Sequence, residues 1–249
     1  MPAPDALLAA ALVRDPAGPL LTFYDDATGE RTELSATTLA NWVAKTANLL
    51  RDDVGAGPGD RVAVLLPAHW QAAAVLLGAW TAAAVVGTDP AGAVAAFAGP
   101  DRVDAAAGAG EVFALSLAPL GRAFAGGPPP GTRDYADDVR GQGDRWIEPP
   151  VSDSALALAT ADGTVTAGDL VEIALRRAAE LGLVVGDRVL STAPWDGPAG
   201  WMDGLLVPLA GGASVVLTVN PDLDLLQMRV EAERVTATPG IGVPGVRPL

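Results

Sequence analysis

The stretch "A-T-A-D-G-T-V-T" (Ala159–Thr166) holds residue types from which an anion-binding loop is made. Thr160 and Thr164 offer hydroxyls, Gly163 lets a backbone approach a ligand closely, and Asp162 precedes that glycine. Set between a strand and a helix, the N–H groups and hydroxyls of such a loop can surround a phosphate. The same residues also make an ordinary Asp-Gly turn, with Thr166 capping the helix that follows. A second candidate is "A-P-W-D-G-P-A-G-W" (Ala193–Trp201). Trp195 and Trp201 can stack on a ligand beside Asp196, or the two indoles can fill a core. His69, the sole histidine, opens a helix and reads as solvent-facing rather than as a catalytic base. "D-Y-A-D-D" (Asp134–Asp138) can attract a cation or stand as a solvated acidic loop. No nucleophile–base pair stands out, so no catalytic residue is assigned.

Charge and composition narrow the partners. With 30 Asp and Glu against 16 Lys and Arg the formal net charge is −14, which disfavours nucleic acid and anionic membrane surfaces. There is no cysteine, hence no disulfide, thiolate nucleophile or zinc–cysteine site, and one histidine excludes a multi-histidine metal centre. Half the residues are apolar and 18% are charged, the balance of a globular chain. The opening "MPAPDALLAAALVRD" has no basic residue ahead of its apolar run and reads as an amphipathic helix, not a signal peptide. The apolar run from Ala72 to Gly87 is short for a membrane span and rich in alanine. A soluble, cytoplasmic protein is expected.

The positioning elements come from an internal repeat. "G-D-R-V" occurs at Gly59–Val62 and again at Gly186–Val189. Upstream, Leu39, Trp42, Val43, Ala47 and Leu50 share one helical face behind a Ser35 cap. In the second copy Leu170, Ile173, Ala174, Ala178 and Leu181 do the same behind Thr166. Gly55 or Gly57 ends the first of these helices, and Gly182 the second. Strands at Arg61–Leu66 and Arg188–Ala193 follow, with Asp60 and Asp187 in the preceding turns and Arg61 and Arg188 at strand edges. Helices starting near His69 and Ala199 lead to strands at Val85–Thr88 and Ser214–Val219. Two copies of helix, strand, helix, strand predict an α/β fold of two similar stacked subdomains, with mainly parallel sheets flanked by helices. Residues 1–150 form the first with its connecting segment, including a strand at Val112–Leu117. Residues 151–249 form the second, with an extended Pro/Gly tail.

The first copy resembles the amino-terminal part of adenylate-forming enzymes, the acyl-CoA synthetase and AMP-binding superfamily. "L-T-F-Y-D-D-A-T-G-E-R-T-E-L-S", "V-G-A-G-P-G-D-R-V-A-V-L-L-P" and "G-A-W-T-A-A-A-V-V-G-T-D-P" carry the likeness. In the second copy "V-G-D-R-V-L-S-T-A-P-W", "P-L-A-G-G-A-S-V-V-L" and "E-R-V-T-A-T-P-G" carry it. The chain is similar to shortened actinobacterial relatives without an assigned activity. The fold implied is that of the superfamily's N-terminal domain.

Function does not follow from that fold alone. In the superfamily the phosphate loop is rich in Ser, Thr and Gly and ends in Pro-Lys. Here the matching stretch has one glycine and no lysine, and Asp162 stands where a polyphosphate would lie. At an effective dielectric of about 20, like unit charges about 4 Å apart repel by about 4 kcal/mol. The stretch given ends at Leu249, ahead of the superfamily's adenine- and ribose-binding motifs and its catalytic lysine. The resemblance therefore implies a pseudoenzyme: a non-catalytic protein binding an acyl group or nucleotide, with vestigial ATP, AMP or CoA-ester binding at most. The alternative is the substrate-pocket half of a split ligase completed by a partner. Candidate ligand residues are Thr160, Asp162, Gly163, Thr164, Trp195, Asp196 and Trp201, with no metal. A homodimer or protein partner is expected to cover an apolar surface around Trp195–Leu209 and the tail Thr238–Leu249.

Overall fold

The computed structural model describes residues 3–239 and 246–249. Helix α1 (Pro4–Arg14) leads into a hairpin of β1 (Pro19–Asp25) and β2 (Glu30–Ser35), then helix α2 (Ala36–Asn48), which widens into a π-helical turn at Leu49–Val54. Strand β3 (Arg61–Leu65), helix α3 (Trp70–Thr81) and strand β4 (Val85–Gly87) complete the first copy. Strands β5 (Ala95–Ala98), β6 (Glu111–Ala114) and β7 (Arg133–Asp134) and helix α4 (Tyr135–Arg140) occupy the connecting segment. The second copy repeats the order. Hairpin β8 (Leu156–Thr160) and β9 (Gly163–Thr166) precedes helix α5 (Ala167–Glu180) and strand β10 (Arg188–Ser191). A helix then runs from α6 (Pro198–Trp201) through a π-helical stretch to α7 (Val207–Ala210), and strand β11 (Ser214–Val219) follows. Helix α8 (Leu223–Ala232) and two-residue strands β12 (Ala237–Thr238) and β13 (Arg247–Pro248) complete the described chain.

Side-chain chemistry sets the helix ends. Ser35 accepts from the Thr38 N–H at 3.1 Å and Thr166 from the Asp169 N–H at 3.2 Å, each satisfying a donor that the helix start leaves free. Gly55 (φ 74°) and Gly182 (φ 64°) stop the two helical stretches in the left-handed region that glycine tolerates. Asp60 and Asp187 close the turns before β3 and β10 by accepting from the Gly57 and Val184 N–H groups.

The strands form two mostly parallel sheets, ordered β13-β12-β10-β11-β1-β2 and β7-β6-β5-β3-β4-β8-β9. Within each copy the two single strands pair in parallel, β3 with β4 and β10 with β11. The hairpins are exchanged. Strand β1 adds in parallel to β11 of the second copy, and β8 adds in parallel to β4 of the first. Each sheet thus draws strands from both sides of position 150. The central strands β5 and β10 are buried at every residue, whereas β2 alternates buried and exposed. That is the contrast expected between a parallel strand covered on both faces and an antiparallel edge.

Helix α3 is buried at all twelve positions, so its apolarity on every side is that of a core helix. A Cβ on its Gly78 would come within 2.6 Å of the Thr46 Cβ, so this glycine is what lets α2 pack so closely. No helix among the described residues is long and apolar enough to cross a membrane.

Several local expectations need correction. His69 does not face solvent: only 3% of it is exposed, its ring lies 4.4 Å from Phe23, and its Nδ1 caps α3 by accepting from the Gln71 N–H. The β1 strand recruited by the other sheet packs over it. Asp134–Asp138 is no acidic loop. Asp134 is buried and caps α4, Asp138 pairs with Arg133, and no metal-ligand cluster occurs among the described residues. Arg188 is not at an edge; it is buried in a central strand and paired with Glu233. The apolar side chains of Trp195–Leu209, among them Trp201, Leu205, Leu206 and Leu209, are buried within this chain, against α5 and β11. They leave little apolar surface there for a second copy to cover. Of the tail, Thr238 lies in β12, between β10 and β13, Arg247–Pro248 form the edge strand β13, and 240–245 fall outside the described residues.

Candidate functional site

The seven-stranded sheet reverses its order at β3. From β3 the chain crosses through α3 to β4 on one side, and then returns to place β5 on the other. Where a parallel sheet reverses in this way, the loops leaving the carboxyl ends of the two strands diverge and a crevice opens between them. Here the crevice is a cavity of about 250 Å³. Leu65 at the end of β3 with Leu66 and Pro67 after it, Gly99–Arg102 after β5 and Thr88 after β4 form its walls. The other sheet closes it with Trp195 and Asp196, which follow β10.

Its chemistry is mixed. The walls are mainly aliphatic and indole, while Thr88, Asp101, Arg102 and Asp196 are exposed at the mouth. Two carboxylates against one guanidinium give the mouth a net negative charge. Trp195 is 1% exposed, and its Nε1 sits over the bare Cα of Gly204 without a hydrogen-bond partner among the described residues. A Cβ on Gly204 would collide with that nitrogen. Gly204→Ala is therefore expected to displace the indole, destabilise the fold by about 1–3 kcal/mol and reshape the cavity wall. Denaturant unfolding, read together with tryptophan fluorescence, measures both effects.

The other sequence candidates lie elsewhere. Trp201 is a core residue, 1% exposed, and does not line the cavity. Thr160, Asp162, Gly163 and Thr164 stand exposed at the tip of the β8–β9 hairpin, on the same edge of the sheet as the cavity but outside its lining. Strand–turn–strand–helix replaces the expected strand–turn–helix. Thr160 pairs with Gly163 across the ladder, so only Ala161 and Asp162 lie between the strands. The Thr160 hydroxyl donates to the Gly163 carbonyl at 3.1 Å and accepts from the Asp162 N–H at 3.2 Å. The Thr160 hydroxyl and the Asp162 N–H are thus engaged within the turn itself.

Of the wall residues, Thr88 reads in the sequence only as the end of a strand, and Asp101 and Arg102, in the connecting segment, are not singled out. The usable signal was the apolar run "V-A-A-F-A" ending in Gly99–Pro100, a buried strand followed by a breaker.

Comparison with known proteins agrees with this architecture. Acetoacetyl-CoA synthetase from Streptomyces lividans superposes with a TM-score of 0.77 at 19% identity, covering 95% of this chain and 42% of that one. An acyl-CoA synthetase of Brucella canis superposes at 0.75 and 18% identity, over 96% of this chain and 47% of its own. The chain therefore spans less than half the length of these two solved proteins, and the likeness is one of fold. The family pattern of AMP-binding enzymes matches residues 10–93. Together these define the class: an α/β protein with the N-terminal-domain fold of adenylate-forming enzymes. The TIGR03089 family protein of Mycobacterium tuberculosis (strain ATCC 25618 / H37Rv) is 52% identical over 242 residues, 93% of this chain and 95% of that protein. The chain belongs to the TIGR03089 family.

Proposed function

We propose that this protein is a pseudoenzyme of the adenylate-forming fold, a soluble cytoplasmic binder of a small acyl-type ligand held in the cavity between β3 and β5. The observation that carries the reading is the two-residue hairpin turn at Ala161–Asp162. A phosphate cradle needs several N–H groups converging on one point, and a tight turn directs its own into the ladder. Asp162 adds a negative charge at the tip. The cavity, by contrast, keeps aliphatic walls with a few polar groups at the mouth, the usual make-up of a small-molecule site. Its net negative mouth disfavours a nucleotide polyphosphate and leaves an acyl or amino-acid group as the better match.

Differential scanning fluorimetry against short-chain acyl-CoAs, CoA, nucleotides and amino acids tests this. A ligand at about 100 times its Kd stabilises by about 2.7 kcal/mol, or about 5–10 °C in a chain of this size. That shift is expected to disappear in Thr88→Trp, which fills the mouth, and to shrink in Asp196→Ala. The proposal fails if none of these compounds shifts the melting point, or if the shift survives Thr88→Trp unchanged.

A further inference from the structure

At the opposite end of the six-stranded sheet, where β1, β10 and β11 begin, lies a second cleft of about 540 Å³. The end of α1, the turns before β10 and β11, and Arg234 after α8 form it. Three of its side chains are guanidinium groups, Arg14, Arg188 and Arg234. Arg188 is engaged by Glu233 and Thr22, and the neighbouring Asp187 by Arg247 and Thr236. Arg14 and Arg234 differ. Neither side chain has an ion-pair or hydrogen-bond partner among the described residues, although the chain carries a net charge of −14. Arg14 lies across the turn before β11, where a Cβ on Gly212 would come 2.6 Å from its Nη1. Arg234 stands in the left-handed region (φ 53°) just past the end of α8, a position that favours glycine. An arginine is held there against its backbone preference.

We infer that this cleft is a phosphate-binding site, separate from the cavity between β3 and β5 and independent of what that cavity holds. Two free guanidinium groups outnumber the uncompensated carboxylate of the cleft and leave it cationic, and their planar forks match phosphate oxygens better than they match a single carboxylate. Among the described residues of the cleft, Asp15 is the one carboxylate left without a cation, and its Oδ1 accepts from the Gly18 N–H. The Ser214 hydroxyl lines the same wall. The equivalent cleft of the other copy, beneath β3 and β4, sharpens the contrast. Among its described lining residues Arg51 is the one arginine, and it is engaged by Asp52, Glu148 and Asn48. Free cations are therefore not a general consequence of the repeat.

Calorimetric titration of the full chain at low ionic strength, with inorganic phosphate, glycerol 3-phosphate and acetate as probes, tests the assignment. Saturable binding of a phosphate probe is expected, with acetate at least about tenfold weaker. Tighter binding of glycerol 3-phosphate would point to an organic phosphate, and tighter binding of inorganic phosphate to the free ion. Arg14→Gln and Arg234→Gly should each weaken binding about tenfold, the scale of one lost charge-assisted contact. Without phosphate, Arg234→Gly should also raise the melting temperature, because glycine suits the left-handed backbone. Arg176→Gln removes an exposed charge on α5, outside the cleft, and should leave affinity unchanged. Three results would each overturn the site: no saturable phosphate binding, acetate binding as tightly as phosphate, or the same loss in Arg176→Gln as in the cleft variants.

Discussion

Replacing Arg229 by methionine is expected to lower the unfolding free energy by about 3 kcal/mol at neutral pH, the lower end of the cost of breaking a buried ion pair. Arg229 on α8 donates to Asp26 in the β1–β2 turn at 2.6 and 3.1 Å, and both side chains are 7% exposed. Its guanidinium also lies 3.9 Å from the centre of the Tyr24 ring. Methionine keeps much of the apolar stem, so the loss comes chiefly from leaving the Asp26 carboxylate with only the Asp222 N–H as a donor. The pair fastens an exchanged hairpin to the far half of the chain, and Glu233 fastens it again through Tyr24 and Arg31. Urea unfolding of Arg229→Met, alone and combined with Asp26→Asn, measures the effect. The double variant should be less destabilised than the sum of the two singles. Strict additivity would show that the pair does not couple the halves.

Acid should weaken the fold well before the carboxylates titrate. Burial pushes the His69 imidazole from its ordinary 6.5 down to about 3, with the nearby Asp25 charge only partly opposing that shift. Below pH 6.5 the unfolded chain takes up a proton that the folded chain refuses, so stability falls as pH falls from about 6.5 towards 3. At pH 5 the loss relative to pH 8 is about 2 kcal/mol. A second loss follows at lower pH. Burial alone would raise the Glu233 carboxyl, yet hydrogen bonds from Tyr24, Arg188 and Arg31 hold it at about 2 against an ordinary 4.5. Its stabilising effect is thus present above pH 4.5 and lost from there down to about 2. His69→Asn keeps a capping side chain and should flatten the pH dependence between 6.5 and 4.5 whatever its absolute stability. An unchanged slope in that variant would assign the acid sensitivity elsewhere.

Much of the architecture is legible in local chemistry. Ser35 and Thr166 cap where a hydroxyl precedes an apolar-periodic run, and Gly55 and Gly182 stop the helical stretches in the left-handed region. The hairpin exchange is not legible in the same way. A strand's alternation says which face is buried, but not which neighbour supplies its hydrogen bonds. Because β1 belongs to the other copy's sheet, the environment of His69 was hidden too: a capping histidine looks the same in sequence whether water or Phe23 lies above it. The cavity was half legible. Trp195 and Asp196 stood out as unusual residues after a strand, whereas Asp101 and Arg102 follow β5, whose alanines carry little strand signal. The stretch from Thr160 to Thr164 takes a different shape from the one its sequence suggested. Thr160 to Thr164 suggested a loop, and the short spacing closes it into a hairpin instead.

The most direct test of the central claim, a binding protein on an adenylating fold, is ATP–pyrophosphate exchange with a panel of carboxylic and amino acids. With its turn hydroxyl bonded internally and Asp162 at the tip, the chain is expected to give no exchange above background with any of them. Robust exchange with even one acid, abolished by Thr160→Ala or Thr164→Ala, would contradict the account: the hairpin would then still be handling the phosphates of ATP.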